Sequence, residues 1–245
     1  MSKRIGIVQT RGIGDLIMAL PIADHFLEQG AEVFWPIDQK FVHMFQPIKP
    51  EINFLPVDGT ADDGRDFFLN KPLQLINENK CDRTIILYSH LGGLNICDTR
   101  LFESVKFDEY KYAIAGVPFD RKWKLKYTRN MAREESLYEN LGIKGDYVCV
   151  HEDGSDLKIP IPIPPDIQRD FQIIKVNDVT DSPFDWLLTF ERASKLIMID
   201  SCFSNLVEQM NLPNEKRLYL RSIINFTPVY KNGWRFMFFN PADAQ

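Results

Sequence analysis

Short apolar runs alternate with helical patterns of apolar residues along the chain. The first run, residues 5–9, predicts a buried strand, and a tight turn after it leads into an amphipathic helix that ends at Gly30. Residues 32–35 predict the next strand. A strand, a helix and a strand in this order form a β-α-β unit, and such units build parallel sheets with right-handed crossovers. The opening of the chain therefore predicts an α/β fold.

The same alternation continues and divides into two halves. Further strands are predicted at residues 52–57, 84–88, 147–151, 171–176, 196–199 and 217–220. The proline-rich segment 158–165 is predicted to form neither a regular helix nor a central strand, because its prolines remove amide donors. Residues 222–245 are predicted to be irregular. A boundary near residues 142–145 gives two predicted domains, 1–143 and 144–245.

Composition excludes several classes of protein. The 245 residues are 44% hydrophobic and carry a net charge of −5. This composition is too apolar, and its charges are too evenly balanced, for a disordered chain. The mildly negative charge argues against a nucleic-acid partner. No stretch approaches 18 consecutive apolar residues, so no integral membrane span is predicted, and a peripheral membrane contact is left open. The short apolar run after Arg4 is unlike a signal peptide, and we expect a cytoplasmic protein.

The cysteines show neither a C-x-x-C motif nor zinc-ligand spacing. We expect them to be buried free thiols in a reducing compartment. They are Cys81, Cys97, Cys149 and Cys202. No metal site is predicted.

The first turn with candidate chemistry is Gly12-Ile13-Gly14-Asp15. Its glycines allow a ligand to approach the backbone closely, and the helix start supplies N–H groups. The turn does not match the dinucleotide-binding fingerprint, because Ile17 stands where the third glycine would be. Asp15 has two interpretations: it is an ordinary N-cap of the helix, or it is a general base that faces a bound substrate.

The second turn follows the predicted strand 147–151 and runs from His151 to Lys158. Gly154 and Ser155 offer amide and hydroxyl donors, and Lys158 has the charge to neutralise a phosphate. The alternatives are a histidine with satisfied hydrogen bonds at a strand end and a solvated surface lysine.

The third turn, residues 200–205, also follows a strand and opens a helix. Its amides and the hydroxyls of Ser201 and Ser204 suit a diphosphate at a helix N-terminus. The alternative is helix capping by Asp200 or Ser201.

Taken together, the three turns resemble segments of glycosyltransferase family 9, the heptosyltransferase-like enzymes of lipopolysaccharide assembly. The opening G-I-G-D-L-I-M-A-L-P is similar to the family's first turn and its proline-containing helix. The segment D-S-C-F-S-N-L resembles the family pattern D-[ST]-G-x-x-H-L-A. The interval from His151 to Lys158 and the segment 84–93 are similar to two further family segments.

The resemblance implies a GT-B fold, in which two Rossmann-like domains face a cleft, here with a shortened second domain. It implies an inverting glycosyltransferase that needs no metal and no cofactor, with a nucleotide-sugar donor as substrate and a glycan or glycolipid acceptor. Asp15 would deprotonate the acceptor, and Lys158 would stabilise the leaving diphosphate. The implied donor-binding residues are Gly14, Gly154, Ser155, Asp200, Ser201, Cys202, Ser204 and Asn205. The implied acceptor-binding residues are Gly12, His90, Gly92 and Gly93.

Two positions depart from the family pattern. Asn205 stands at the family's histidine, and Cys202 stands at its glycine. These departures favour an alternative, a catalytically silent protein that binds a nucleotide or nucleotide sugar on the same scaffold. A third hypothesis is a hydrolase related to sugar-nucleotide epimerases, since that chemistry also uses this fold.

Overall fold

The computed structural model describes residues 2–88, 103–154, 158–220 and 227–238. The chain divides into two compact units, Met1–Thr128 and Arg129–Gln245. The domain limits expected from the sequence differ from this division in the segment 129–143. The helix in that segment packs into the core of the second unit through Leu137, which is buried there.

In its described residues, the first unit is a parallel four-stranded sheet with helices between its strands, as the β-α-β pattern predicts. The strands are β1 (Arg4–Val8), β2 (Glu32–Asp38), β3 (Asn53–Val57) and β4 (Arg83–Ile86), in the order β3-β2-β1-β4. The helices are α1 (Ile13–Glu28), α2 (Gln39–Phe45), α3 (Lys71–Glu78) and α4 (Phe107–Ala115). The strand order reverses between β1 and β4, and ligands of open α/β sheets bind beyond the carboxyl ends of the strands at such a point.

The start of α1 differs from the sequence-based expectation. Gly12 is its N-cap, with φ of 91°, and Asp15 lies inside the first turn, so the interpretation of Asp15 as the cap is wrong. A glycine takes the cap because this backbone conformation is strained for residues with a Cβ. Gly30, with φ of 79°, follows the end of α1 as expected.

The second unit is a parallel five-stranded sheet in its described residues. Its strands are β5 (Tyr147–His151), β6 (Gln172–Lys175), β7 (Lys195–Ile199), β8 (Glu215–Leu220) and β9 (Trp234–Phe238), in the order β6-β5-β7-β8-β9. Its helices are α5 (Met131–Asn140), α6 (Pro165–Asp170), α7 (Leu187–Arg192) and α8 (Cys202–Met210). Here the order reverses between β5 and β7.

Strand β9 corrects the expectation that everything after residue 222 is irregular. It pairs in parallel with β8 at the sheet edge. The buried carboxylate of Glu208 on α8 accepts hydrogen bonds from the Lys231 amide at 2.9 Å and from Trp234 Nε1 at 2.7 Å. This tertiary anchor, rather than a local pattern, holds the segment against the sheet.

The proline-rich segment covers one face of the second sheet, and its residues 159–164 form neither a helix nor a strand, as expected, while Pro165 is the first residue of α6. Ile159 and Ile161 are buried against the strands, while Pro160 and Pro162 are exposed. The Ile161 amide donates to Glu152 Oε1 at 2.8 Å, which fixes the segment to the end of β5. The crossover from β5 to β6 therefore needs only the six-residue helix α6.

The expected burial of the cysteines holds for Cys149, which is fully buried. It is wrong for Cys81 and Cys202, which are partly exposed, and Cys97 lies outside the described residues. Within the described ranges, no helix combines the length and apolar character needed to cross a membrane.

Candidate functional site

A cluster of polar side chains lies in the first unit where β1 and β4 end. Lys111 Nζ lies 2.9 Å from Asp15 Oδ1, 2.7 Å from Gln9 Oε1 and 3.4 Å from the Leu87 carbonyl oxygen. The lysine is buried, whereas 36% of the Asp15 side chain is exposed. The cluster thus presents one carboxylate to solvent at the point where the strand order reverses.

The turn before α1 is shaped around that carboxylate. A Cβ at Gly12 would lie 2.5 Å from Asp15 Oδ2, closer than any non-bonded contact allows. Gly12 therefore provides both the positive φ and the space that the carboxylate occupies. Gly14 is the second residue of α1, next to Asp15.

Tyr88, just after β4, holds the other side of this turn. Its hydroxyl oxygen accepts hydrogen bonds from the amides of Thr10, at 2.6 Å, and Arg11, at 3.2 Å. Burial raises the pKa of Tyr88 to about 12, and the nearby Asp15 carboxylate adds to the shift. The phenol is therefore neutral at physiological pH, and it ties the loops after β1 and β4 together.

The second cluster lies in the second unit where β5 and β7 end. The His151 ring is buried, and its Nδ1 lies 3.1 Å from Ser201 Oγ. The same ring packs edge-on against Phe203, with centroids 4.7 Å apart. These contacts join the second and third turns at the strand-order reversal of this sheet, a position where α/β proteins bind ligands.

Helix α8 begins at this cluster with a capping box. Ser201 is the N-cap, and the amide of Ser201 donates to Ser204 Oγ at 2.8 Å. The Ser204 hydroxyl is fully buried and also contacts the hydroxyl of Tyr230, which donates to Asp200 Oδ1. Asn205 is buried and donates to the Ser201 carbonyl oxygen.

The structure therefore uses several predicted donor-binding side chains to build the helix start. Ser201 acts as the cap, the alternative left open by the sequence, and the side chains of Ser204 and Asn205 are turned into the protein. Cys202, the first residue of α8, is partly exposed. A donor-binding role at this turn remains a prediction. It depends on the backbone amides and the helix dipole at the N-terminus of α8 rather than on these side chains.

Lys158 lies on the loop after β5 and pairs with its neighbour in that loop. Its Nζ is 3.1 Å from Asp153 Oδ1, and the two side chains are 66% and 46% exposed. An antiparallel bridge between these two residues closes the loop around Gly154. Lys158 is therefore accessible to an anion, and Asp153 is the group with which an anion would compete.

Comparison with known proteins gives no match to a protein-family model or to a curated sequence. Solved structures do match over nearly the whole chain. A glycosyltransferase family 9 protein from Veillonella parvula is 15% identical, with a TM-score of 0.64, over 97% of this chain and 86% of that one. The ADP-heptose lipopolysaccharide heptosyltransferase II of E. coli is 10% identical, with a TM-score of 0.54, over 97% and 90%.

This chain has the fold of glycosyltransferase family 9. The resemblance inferred from the three turns is thus confirmed at the level of the fold. A third similar structure is TibC, an iron-containing dodecameric glycosyltransferase from enterotoxigenic E. coli. It is 16% identical with a TM-score of 0.56, and the match spans 96% of this chain but 63% of TibC.

In this glycosyltransferase family 9 fold, the described residues bring the sequence-predicted positions into two groups. Gly12, Gly14 and Asp15 share the first cluster. The other group comprises Asp200, Ser201, Cys202, Ser204 and Asn205 at the start of α8, with Gly154 and Lys158 on the loop after β5. His90, Gly92, Gly93 and Ser155 lie outside the described residues.

Sequence reasoning missed the residues that surround Asp15. Gln9, Tyr88 and Lys111 belong to no short motif, and Lys111 reaches Asp15 from helix α4, distant along the chain. Gln9 and Tyr88 did carry a local signal, because each is the last residue of a predicted strand, and ligands of α/β sheets bind beyond the strand ends. Over the parts of the chain that the structure describes, no group of three or more His, Cys, Asp or Glu side chains is arranged to hold a metal ion.

Proposed function

We propose that this chain is an inverting glycosyltransferase that needs no metal. It would transfer a sugar from a nucleotide-sugar donor to a hydroxyl of a glycan or lipopolysaccharide-type acceptor. The observation that carries the proposal is the partly exposed carboxylate of Asp15 at the strand-order reversal of the first sheet, in a fold shared with glycosyltransferase family 9.

The carboxylate supplies the base. An Asp15 oxygen takes the proton of the acceptor hydroxyl while that hydroxyl oxygen attacks the anomeric carbon of the donor. The bond from the anomeric carbon to the diphosphate breaks, and the leaving nucleoside diphosphate keeps the electron pair. A single displacement of this kind inverts the anomeric centre, and general-base catalysis contributes about 10²–10⁴-fold.

The second cluster supplies the anion site. The N-terminus of α8 carries the positive end of the helix dipole, which favours a diphosphate. Lys158 adds an exposed positive charge on the loop after β5. Fixed dipoles and charges that meet the developing negative charge are the main catalytic contribution in such a transfer.

ADP-heptose is the first donor to test. The E. coli heptosyltransferase WaaC, at 11% identity and a TM-score of 0.52, binds ADP-2-deoxy-2-fluoro heptose, and TibC binds ADP-D-β-D-heptose. We propose a cytoplasmic enzyme that binds a glycan or glycolipid acceptor. Where the acceptor is a glycolipid, the enzyme would contact the membrane peripherally.

The test combines binding with turnover. Wild-type protein is screened by thermal shift with ADP, UDP, GDP, ADP-heptose and UDP-glucose. Release of the nucleoside diphosphate in the presence of a lipopolysaccharide-type acceptor is then followed for wild type and Asp15→Asn. We expect Asp15→Asn to keep donor binding and to lose turnover. Asp120→Asn is the matched control, because Asp120 is an exposed carboxylate that pairs with a lysine in the same unit.

A silent nucleotide-binding protein is the second candidate. It is favoured by the burial of the Ser204 and Asn205 side chains and by the Asp153 carboxylate that engages Lys158. Nucleotide binding without turnover in the wild type would support this second candidate. Equal turnover by wild type and Asp15→Asn would show that Asp15 is not the general base.

A further inference from the structure

We infer that Lys111 is a positioning residue for Asp15, which holds one carboxylate oxygen so that the other stays at the turn where the acceptor binds. The inference rests on the proposed function. It concerns a residue on helix α4 that belongs to none of the three turns.

The ammonium group of Lys111 is fully engaged by the site. An ammonium has three N–H donors, and three acceptors surround this one: Asp15 Oδ1 at 2.9 Å, Gln9 Oε1 at 2.7 Å and the Leu87 carbonyl oxygen at 3.4 Å. Gln9 is itself held, because its Nε2 donates to the Arg11 carbonyl oxygen at 2.8 Å. The amine is thus fixed by the loops after both β1 and β4, and it fixes Asp15 in turn.

The two oxygens of the Asp15 carboxylate have different surroundings. Oδ1 faces the buried amine, while Oδ2 lies over Gly12, where a Cβ would be 2.5 Å away. Within the described residues, Lys111 is the one cation paired with Asp15. The ion pair therefore selects a single orientation of the carboxylate and leaves Oδ2 at the glycine turn.

A second lysine–aspartate pair in the same unit shows what a purely structural pair looks like. Lys122 Nζ lies 2.6 Å from Asp108 Oδ2, and both side chains are completely buried. In the Lys111–Asp15 pair the cation is buried but the carboxylate is 36% exposed. Burying a lysine is costly unless it is paired, so Lys111 depends on the Asp15 carboxylate although that carboxylate stays open to solvent. The exposure of Asp15 points to a substrate-facing role.

The experiment compares Lys111→Met, Asp15→Asn and the double variant with the wild type, with ADP-heptose as donor. Misplacement of a reacting group by about 1 Å costs roughly 10²-fold. We expect kcat of Lys111→Met to fall ten- to hundredfold, with the KM for the donor within about twofold of the wild type. We also expect the double variant to turn over as slowly as Asp15→Asn alone, because Lys111 acts through Asp15. The control is Asp108→Asn/Lys122→Met, for which we expect unchanged kcat.

A crystal structure of Lys111→Met provides a readout that needs no turnover. We expect the Asp15 carboxylate to leave the orientation in which Oδ2 lies over Gly12. If it keeps that orientation, or if kcat of Lys111→Met stays within twofold of the wild type, or if the two substitutions act independently, the inference is wrong. Absence of wild-type turnover would instead contradict the proposed function, and the crystal structure would still decide whether Lys111 positions Asp15. Lys111→Gln, which keeps an N–H donor, replaces Lys111→Met if the latter does not fold.

Discussion

Replacing Gly12 with alanine tests whether the turn before α1 is built around the Asp15 carboxylate. The new methyl group would lie 2.5 Å from Oδ2, so the Asp15 side chain would have to rotate and give up its contact with Lys111. We therefore expect Gly12→Ala to lower both stability and turnover.

Two contributions add up in the expected loss of stability. Forcing alanine to the φ of 91° at this position costs about 1–3 kcal/mol. Depriving the buried Lys111 ammonium of its carboxylate adds about 1–3 kcal/mol, the cost of an unsatisfied buried polar group. Gly12→Ala should therefore lose roughly 2–6 kcal/mol.

Gly30 is the matched control, since its φ is 79° and a Cβ there would meet nothing within 4 Å. We expect Gly30→Ala to lose about 1–2 kcal/mol, from backbone strain alone. In an Asp15→Ala background the 2.5 Å clash with Oδ2 is gone and only a 3.3 Å contact with the Cβ of residue 15 remains, so Gly12→Ala should cost little more than its strain contribution.

The assay is urea unfolding followed by tryptophan fluorescence, to which Trp35 and Trp123 contribute from the first unit and Trp186 and Trp234 from the second. If Gly12→Ala costs the same free energy of unfolding in the wild-type and Asp15→Ala backgrounds, the proposed fit between Gly12 and Asp15 is refuted.

Three further predictions concern other contacts. Glu208→Gln should lower the free energy of unfolding by about 1.5–3 kcal/mol, because the buried carboxylate accepts hydrogen bonds from the Lys231 amide and Trp234 Nε1. Urea unfolding measures this loss, and a loss below about 0.5 kcal/mol would contradict the prediction. Burial raises the pKa of Tyr88 from 10.0 to about 12, so the folded state keeps a proton that the unfolded state releases in this range. The stability of the wild type relative to Tyr88→Phe should therefore fall as the pH rises from 10 to 12, by at most about 3 kcal/mol, and a constant or rising difference would be inconsistent with a buried neutral phenol. Lys158→Met should change the free energy of unfolding by less than about 1 kcal/mol, because its ion pair with Asp153 is exposed, yet it should weaken ADP binding about tenfold in calorimetry. Unchanged ADP affinity of Lys158→Met would show that the diphosphate of ADP does not bind at Lys158.

The sequence predicts the buried strands well because strands of a parallel sheet are covered on both faces. Such strands appear as continuous apolar runs, as in residues 147–151, which form β5 with the expected limits. Strand β9 escaped prediction because it is an edge strand with exposed residues, including Phe238, and its position depends on Glu208. A tertiary contact such as the Glu208–Trp234 hydrogen bond leaves no pattern in the sequence of the strand itself.

The candidate site was predictable only in part for a similar reason. Asp15 stood out because it follows two glycines at the start of a helix, although the cap itself is Gly12. Lys111 and Tyr88 reach the same turn from distant parts of the chain, and only the fold reveals their contacts. The sequence also did not show that the Ser204 hydroxyl is fully buried within a capping box, because its contact with Tyr230 comes from a distant part of the chain.

Release of the nucleoside diphosphate from nucleotide sugars in the presence of a lipopolysaccharide-type acceptor, compared between wild type and Asp15→Asn, tests the proposed function most directly. Sugar transfer with Asp15 as the base predicts turnover by the wild type and a rate about 10²–10⁴-fold lower in Asp15→Asn, with the donor affinity unchanged. Equal rates in the two proteins, or no binding of any nucleotide sugar by the wild type, would contradict it.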